Sequence, residues 1–270
     1  MTLRPSKKFQ IMTVLSSGFR NPNIDDIGKI RENNGILVVP NTFLKAEYAY
    51  NLDLGINYKS LNQLTYVSFR TFATVISRHI VRDDFIIFSD TTTSDESTIL
   101  YNGEEVTTIA NKNLGNRFIH GFSIDGFSYF SKSLKFNGSI SYIKGDENET
   151  YGPMPSISPI FGTISGEYSK NKFKISALYK FSGDKSPGDY SLGGEDGLEE
   201  TPEIIESNGL IKYAGTPKWS DFSIYTNYDI SQDVKVRFAL TNIFDNHYRS
   251  FASGISAPGR SFQIGLYLKL

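Results

Sequence analysis

The sequence predicts an all-β fold, a transmembrane antiparallel up-and-down β-barrel wall of about ten strands. Two observations carry that prediction. Apolar and polar residues alternate with period two in run after run, and the connections between the runs are short and long in turn. The closing stretch shows the first plainly: Phe262, Ile264, Leu266, Leu268 and Leu270 fall on one side, and Ser261, Gln263, Gly265, Tyr267 and Lys269 on the other. In water such a strand buries its oily face against a second layer. In lipid the oily face points outward and the polar face lines a lumen.

Taken in order, the first strand is predicted over 7–17, where Phe9, Ile11, Thr13 and Leu15 alternate until Ser16-Ser17-Gly18 breaks the run. A loop over 19–46 follows, with turn signals at Asn21-Pro22-Asn23, Asn33-Asn34-Gly35 and Pro40-Asn41. The cleanest alternation spans 48–58, with Tyr48, Tyr50, Leu52, Leu54, Ile56 and Tyr58 on one side. Only 60–63 separate it from a run over 67–78, so these form a tight hairpin. An excursion over 83–113 is expected to hold its own hairpin, 85–88 with 99–101. Further strands are predicted over 117–129, 134–143, 161–168, 173–181, 222–228, 234–241 and 261–270. The connection over 182–218 is long and acidic, with Glu195, Asp196, Glu199, Glu200, Glu203 and Glu206, and reads as a solvated loop.

Outer-membrane barrels keep short turns on the periplasmic side and long loops outside, whereas soluble sandwiches follow no such rule. The turns at Ser60, Ser131, Ser169 and Asp229 are therefore assigned to the periplasm. The loops at Phe19, Asp83, Lys144, Ser182 and Phe244 are assigned to the exterior.

Composition agrees. A net charge of -1 with no basic run gives no reason to propose nucleic acid as a partner. The absence of cysteine removes disulfides, thiol nucleophiles and thiolate metal sites. Apolar runs such as 85–88 fall far short of the ~20 residues of a membrane helix. Aromatic residues, 14% of the chain, suit strands and interfacial girdles. Mean hydropathy of -0.29 is compatible with a barrel, because half of every strand faces water. Residues 1–9 show no secretory h-region or cleavage site, which leaves either a cytosolic protein or a chain that lacks its true N-terminus.

Particular boxes sharpen this reading. Ser17-Gly18-Phe19-Arg20-Asn21-Pro22-Asn23-Ile24-Asp25-Asp26 is followed by Val39-Pro40-Asn41-Thr42-Phe43-Leu44-Lys45-Ala46-Glu47 and then Tyr50-Asn51-Leu52-Asp53-Leu54-Gly55. Near the end stand Leu240-Thr241-Asn242-Ile243-Phe244-Asp245-Asn246-His247-Tyr248 and Pro258-Gly259-Arg260. In order and spacing these resemble the barrel of TonB-dependent outer-membrane receptors. The motif residues are Phe19, Arg20, Pro22, Pro40, Leu44, Glu47, Asn242 and Phe244. Asn21 stands where the family usually has Ala, Ala46 where it has Pro, and Leu270 where it has a terminal aromatic; the last bears on recognition by the barrel-insertion machinery. The resemblance implies the C-terminal part of a barrel of about 22 strands, residues 1–270 forming one barrel segment of a split, truncated or partly predicted receptor gene, with the signal peptide, TonB box and plug of the family lying elsewhere. It implies uptake of an iron chelate of siderophore type or a similar scarce nutrient across the outer membrane, coupled to TonB, ExbB and ExbD, with outer-membrane lipid around the wall. It implies no enzymatic activity and no cofactor.

Arg20, Asp25 and Asp26 are the candidate ligand contacts in the first outer loop; loop-internal hydrogen bonding is the plainer role for them. No histidine lies between Pro22 and Pro40, where the haem receptors of this family usually carry one. His79, His120 and His247 lack metal-ligand spacing. Two other classes remain as alternatives. A ten-stranded outer-membrane protease resembling the omptins would use Asp25 and Asp26 with His79 and Asp83 or Asp84. A soluble β-sandwich would bind a ligand without any membrane.

Overall fold

The computed structural model of the protein describes residues 1–33, 35–87, 97–148, 152–191, 196–207 and 209–269. Strand β1 (Thr2–Leu3) lies against β2 (Phe9–Arg20), and the short helix α1 (Ile24–Gly28) follows. Its cap is reciprocal: the Asp26 N–H donates to Asn23 Oδ1 at 2.9 Å, and the Asn23 N–H to Asp26 Oδ2 at 2.9 Å. β3 (Arg31–Asn33) and β4 (Ile36–Val38) pair locally, and β5 (Glu47–Lys59) and β6 (Thr65–Ser77) form a long hairpin. β7 (His79–Asp84), β8 (Thr98–Tyr101) and β9 (Glu104–Leu114) precede β10 (Arg117–Tyr129) and β11 (Leu134–Gly145). β12 (Glu147–Asn148) and β13 (Gly152–Pro153) pair inside the next loop, before β14 (Phe161–Lys170) and β15 (Phe173–Ser182). β16 (Glu203–Ile205) and β17 (Ile211–Tyr213) pair within the acidic connection, and β18 (Trp219–Asp229), β19 (Val234–Thr241) and β20 (Ser261–Leu268) close the chain.

One antiparallel sheet organises the molecule, in the order β1-β2-β5-β6-β10-β11-β14-β15-β18-β19-β20. Its ten long members are the ten strands predicted, each beside its predecessor. β1, too short for any periodicity, was not foreseen. Short turns at 60–64, 130–133, 171–172 and 230–233 gather at one end; the connections 21–46, 78–116, 146–160, 183–218 and 242–260 gather at the other. Among the described residues the sheet is open. β20 pairs only with β19, and the far side of β2 meets only β1, at Ile11 and Met12.

The register sorts side chains onto two faces. Residues directly opposite one another share a face, so Ile11, Ile56, Phe69, Ile124 and Ile140 form one row, and Phe136, Gly166, Ala177, Ile224, Leu240 and Phe262 another. Followed through all ten long strands, this face contains no Asp, Glu or Arg; its lysines, Lys144 and Lys170, sit near strand ends. It is also the uncovered face. Along β5 the apolar Tyr50, Leu52, Leu54 and Ile56 are exposed while Asn51, Asp53 and Gly55 are more covered, and in β20 Phe262, Ile264, Leu266 and Leu268 are all above 60% exposed. Leu270 lies outside the described residues. A soluble sheet would show the reverse.

The opposite face is polar and stitched across strands. Thr74 Oγ1 donates to Asn51 Oδ1 at 2.6 Å, Asn137 Nδ2 to Ser165 Oγ at 3.0 Å, and Arg237 Nε to Asn227 Oδ1 at 3.0 Å. Aromatic pairs mark the two margins of the apolar face: Phe9 packs on Tyr58 at the turn end, with ring centroids 5.2 Å apart, and Phe19 on Tyr48 at the loop end, 6.1 Å apart. From 9 to 19 at ~3.3 Å per residue is roughly 33 Å of strand, or roughly 25 Å of height at the ~40° tilt of membrane barrels. That is the height of the apolar band such barrels carry.

Two local expectations are corrected. Phe19 and Arg20 belong to the end of β2 rather than to the loop, because they continue the ladder with Tyr48 and Glu47. The hairpin expected from 85–88 with 99–101 is not formed by the described residues; Phe88 lies outside them. β8 instead pairs with β9, and Phe85 donates its N–H to Thr108 O.

Candidate functional site

The loop end of the sheet carries two packed clusters. In the first, β4 and β9 pair in parallel, joining two connections into a small sheet with the order β3-β4-β9-β7 and β8 on β9. Leu37, Val39, Val106 and Ala110 are its core, with Phe85, Ile87, Ile99 and Tyr101 packed against them. Polar groups fasten this unit to the strand tops. Arg20 Nη1 lies 3.0 Å from Asp26 Oδ2 and Arg20 Nε 3.7 Å from Glu47 Oε1. Glu47 Oε2 meets His79 Nδ1 at 2.8 Å and accepts the Ile80 N–H at 2.7 Å. Beyond Pro40, Asn41 Nδ2 donates to Asn111 O at 2.8 Å; after Leu44, the Lys45 N–H donates to Asn113 Oδ1 at 2.7 Å.

The second cluster joins the last three connections. Lys185 and Asp196 are buried, with Lys185 Nζ 2.9 Å from Asp196 Oδ2 and donating to Ile157 O at 2.8 Å. The Ser156 N–H donates to Asp196 Oδ1, and the Lys185 ammonium sits 4.0 Å from the Phe251 ring centroid and 4.9 Å from that of Tyr190. Cation, carboxylate and rings thus hold three connections together. The buried Arg117, at the start of β10, holds the connection that follows β11, with Nε donating to Asp146 Oδ1 at 2.8 Å and Nη2 to Asp146 O and Gly152 O.

Beside them, Asn242 is almost wholly buried with φ of 47°. Its Nδ2 donates to Asn246 O and Pro258 O, and its Oδ1 accepts the Asn246 N–H, so one side chain folds the closing connection. Phe244 stacks on Phe222, centroids 5.9 Å apart. Tyr248 stacks on Trp219 and donates its hydroxyl to Asp221 Oδ2 at 3.1 Å. Burial, and then the Asp221 carboxylate, push the Tyr248 hydroxyl up to about 12. Burial also raises Tyr190, whose hydroxyl shares a hydrogen with Thr216 Oγ1. Between the acidic connection and the closing one lies a cleft of about 440 Å³, lined by Glu200, Thr201, Lys218, His247, Arg249 and Ser253 among others.

Of the candidate contacts, Arg20 and Asp26 are engaged in fastening the first cluster, while Asp25 stands exposed on the first turn of α1. His79 takes Glu47 as its carboxylate partner, and Asp83 pairs with Lys112 at 3.1 Å. The acidic connection differs from its expected solvated form: Asp196 is buried because Lys185 pairs with it, while Glu195 lies outside the described residues. Among the described residues no three His, Cys, Asp or Glu side chains are grouped to hold a metal ion, and no helix is long and apolar enough to cross a membrane. Sequence reasoning missed Lys185, Tyr190, Arg117 and Tyr248, whose contacts appear only once the chain is folded: Lys185 and Tyr190 reach Phe251, Arg117 reaches Asp146, and Tyr248 reaches Asp221.

Comparison with known proteins gives a consistent picture. Residues 2–243 match the family model described as TonB dependent receptor-like, beta-barrel. Haemoglobin-haptoglobin utilization protein B of Neisseria meningitidis is 24% identical over 267 residues, 93% of this chain and 31% of that protein. The siderophore receptor PirA of Acinetobacter baumannii superposes over 99% of this chain and 40% of its own, with a TM-score of 0.73 at 18% identity. The copper transporter OprC does so over 99% and 38%, with a TM-score of 0.69 at 14% identity. The chain therefore spans about a third of the curated relative and about two fifths of these structures. The open sheet, its uncovered apolar face and the family match over most of the chain lead to one conclusion: the protein belongs to the TonB-dependent receptor β-barrel family.

Proposed function

We propose that this chain is the C-terminal part of the barrel wall, with capture loops, of an outer-membrane receptor that takes up an iron chelate of siderophore type or a similar scarce nutrient. The observation that carries the reading is the uncovered apolar face, free of acidic residues and arginine and about as tall as a bilayer's apolar band. The family match supports the transport role, and the named relatives handle iron sources or a metal. In the intact receptor TonB, ExbB and ExbD supply the energy, and the barrel-insertion machinery and outer-membrane lipid are the partners of the wall. Asp25 is the exposed ligand candidate, and Arg20 and Asp26 shape the loop that presents it. The lack of a histidine between Pro22 and Pro40 favours a chelate over haem.

The open edges support the segment reading, because lipid satisfies no unpaired backbone groups. By itself the chain then transports nothing. In a receptor-deleted strain under iron limitation, expression of this chain alone with an export signal is expected to leave growth unrestored while the protein is found in the outer-membrane fraction. Restored growth overturns the segment reading; a folded monomer that needs neither detergent nor lipid overturns the membrane reading and favours the sandwich.

A further inference from the structure

The apolar face ends, at the loop side of β15 and β18, in a groove unlike the rest of that face. Its floor is Ile160, Tyr179 and Phe181; its upper wall carries Lys218, Ser220 and His247. Tyr179 and Phe181 stack at 6.0 Å and stand opposite Phe222 and Ser220 in the register, which places them on the apolar face. Asn246 fixes the wall by donating to Ser220 O at 2.9 Å. No carboxylate lines the groove among the described residues, whereas two neighbouring lysines have acidic partners: Lys180 with Asp221, Lys185 with Asp196. Lys218 is exposed and takes part in no such pair among the described residues. An ammonium and an imidazole thus stand directly above an aromatic floor that continues into the apolar belt.

We propose that this groove seats the phosphate-bearing headgroup of an anionic membrane lipid, with Lys218 and His247 on the phosphate and the acyl chains running down over Tyr179, Phe181 and Phe222. The proposal rests on the reading of the apolar face as lipid-facing. The continuity of floor and belt selects a lipid over a free phosphate ion, and among the described residues no second lysine or arginine lines the groove itself; Arg249 and Glu200 line the separate cleft that Lys218 and His247 also border. Cations at a membrane surface enrich anionic lipid roughly five-fold each.

Trp219, the only tryptophan of the chain, stands opposite Ser182 and so on the polar face, whereas Tyr179 lies on the groove floor; Tyr179→Trp in a Trp219→Phe background therefore places a single fluorescent reporter in the groove. The full chain is refolded into phosphatidylcholine vesicles carrying a minor fraction of acyl-brominated lipid, either phosphatidic acid or phosphatidylcholine. Brominated phosphatidic acid is expected to quench this reporter roughly five-fold beyond its mole fraction, with no relief from added inorganic phosphate. Lys218→Ala and Lys218→Glu, both at an exposed position, are expected to return quenching to the mole fraction while the β-sheet dichroism stays unchanged. Equal quenching by the two lipids overturns the headgroup site and leaves the membrane reading standing. Quenching by neither overturns the lipid-facing assignment itself, and relief by inorganic phosphate assigns the groove to a free anion.

Discussion

At Asn242 one buried amide makes three hydrogen bonds to the closing connection, and its φ of 47° suits asparagine better than most residues. Asn242→Ala is expected to cost about 1–3 kcal/mol and to speed proteolysis within 242–260, with the sheet intact. Lys185 carries more. Lys185→Ala strands the Asp196 carboxylate in a buried site, a change of about 3–5 kcal/mol, and is expected to open the connections 146–160, 183–218 and 242–260 to protease together. Cleavage confined to one of them would show that the pair does not join the three. Tyr248 supplies a pH signature. Its folded pKa of about 12 lies above the ordinary tyrosine value of about 10, so its share of stability is present below about 10 and is lost as pH rises toward about 12. A spectrophotometric titration is expected to show one late tyrosinate step that Tyr248→Phe removes.

At the scale of elements, the ten long strands were legible because each repeats its period several times, as β5 does from Tyr48 to Tyr58. The loop sheet was not. β3 and β4 are too short for a period, and β4 meets β9 only because Leu37 and Thr108, far apart in sequence, become neighbours in a parallel pair. The Lys185 and Asp196 pair, only 11 residues apart in one connection, was hidden for another reason: nothing in an acidic run marks which carboxylate will be buried. Of the candidate contacts, Arg20 pairs with Asp26 and reaches Glu47, an arrangement that sequence spacing alone does not display. Glu47 shows why, since it is shared by Arg20, His79 and the Ile80 N–H where three strands meet. Glu47→Gln is expected to loosen 21–46 and 79–114 as one body, read as joint loss of hydrogen-exchange protection; independent loosening would contradict the single unit. Glycines also act at this scale. A Cβ on Gly121 would strike Tyr142 O and the Phe72 ring, so Gly121→Val is expected to disrupt the ladders of β10 with both neighbours.

The whole molecule is a sheet whose two faces meet different solvents. Its apolar face, uncovered and without acidic residues or arginine, is stable only against hydrocarbon, and its polar face, stitched by side-chain hydrogen bonds, only against water or another polar surface. The long connections rise from one rim as two packed bodies, and among the described residues the edges at β2 and β20 are open. The chain has no cysteine, so single cysteines placed along β5 in bilayers report on each face without background. Cysteines at 50, 52, 54 and 56 are expected to resist a water-soluble maleimide and react with a lipid-soluble one. Those at 49, 51, 53 and 57 are expected to do the opposite. Uniform labelling along the strand, or protection of the odd-numbered set, would contradict the account.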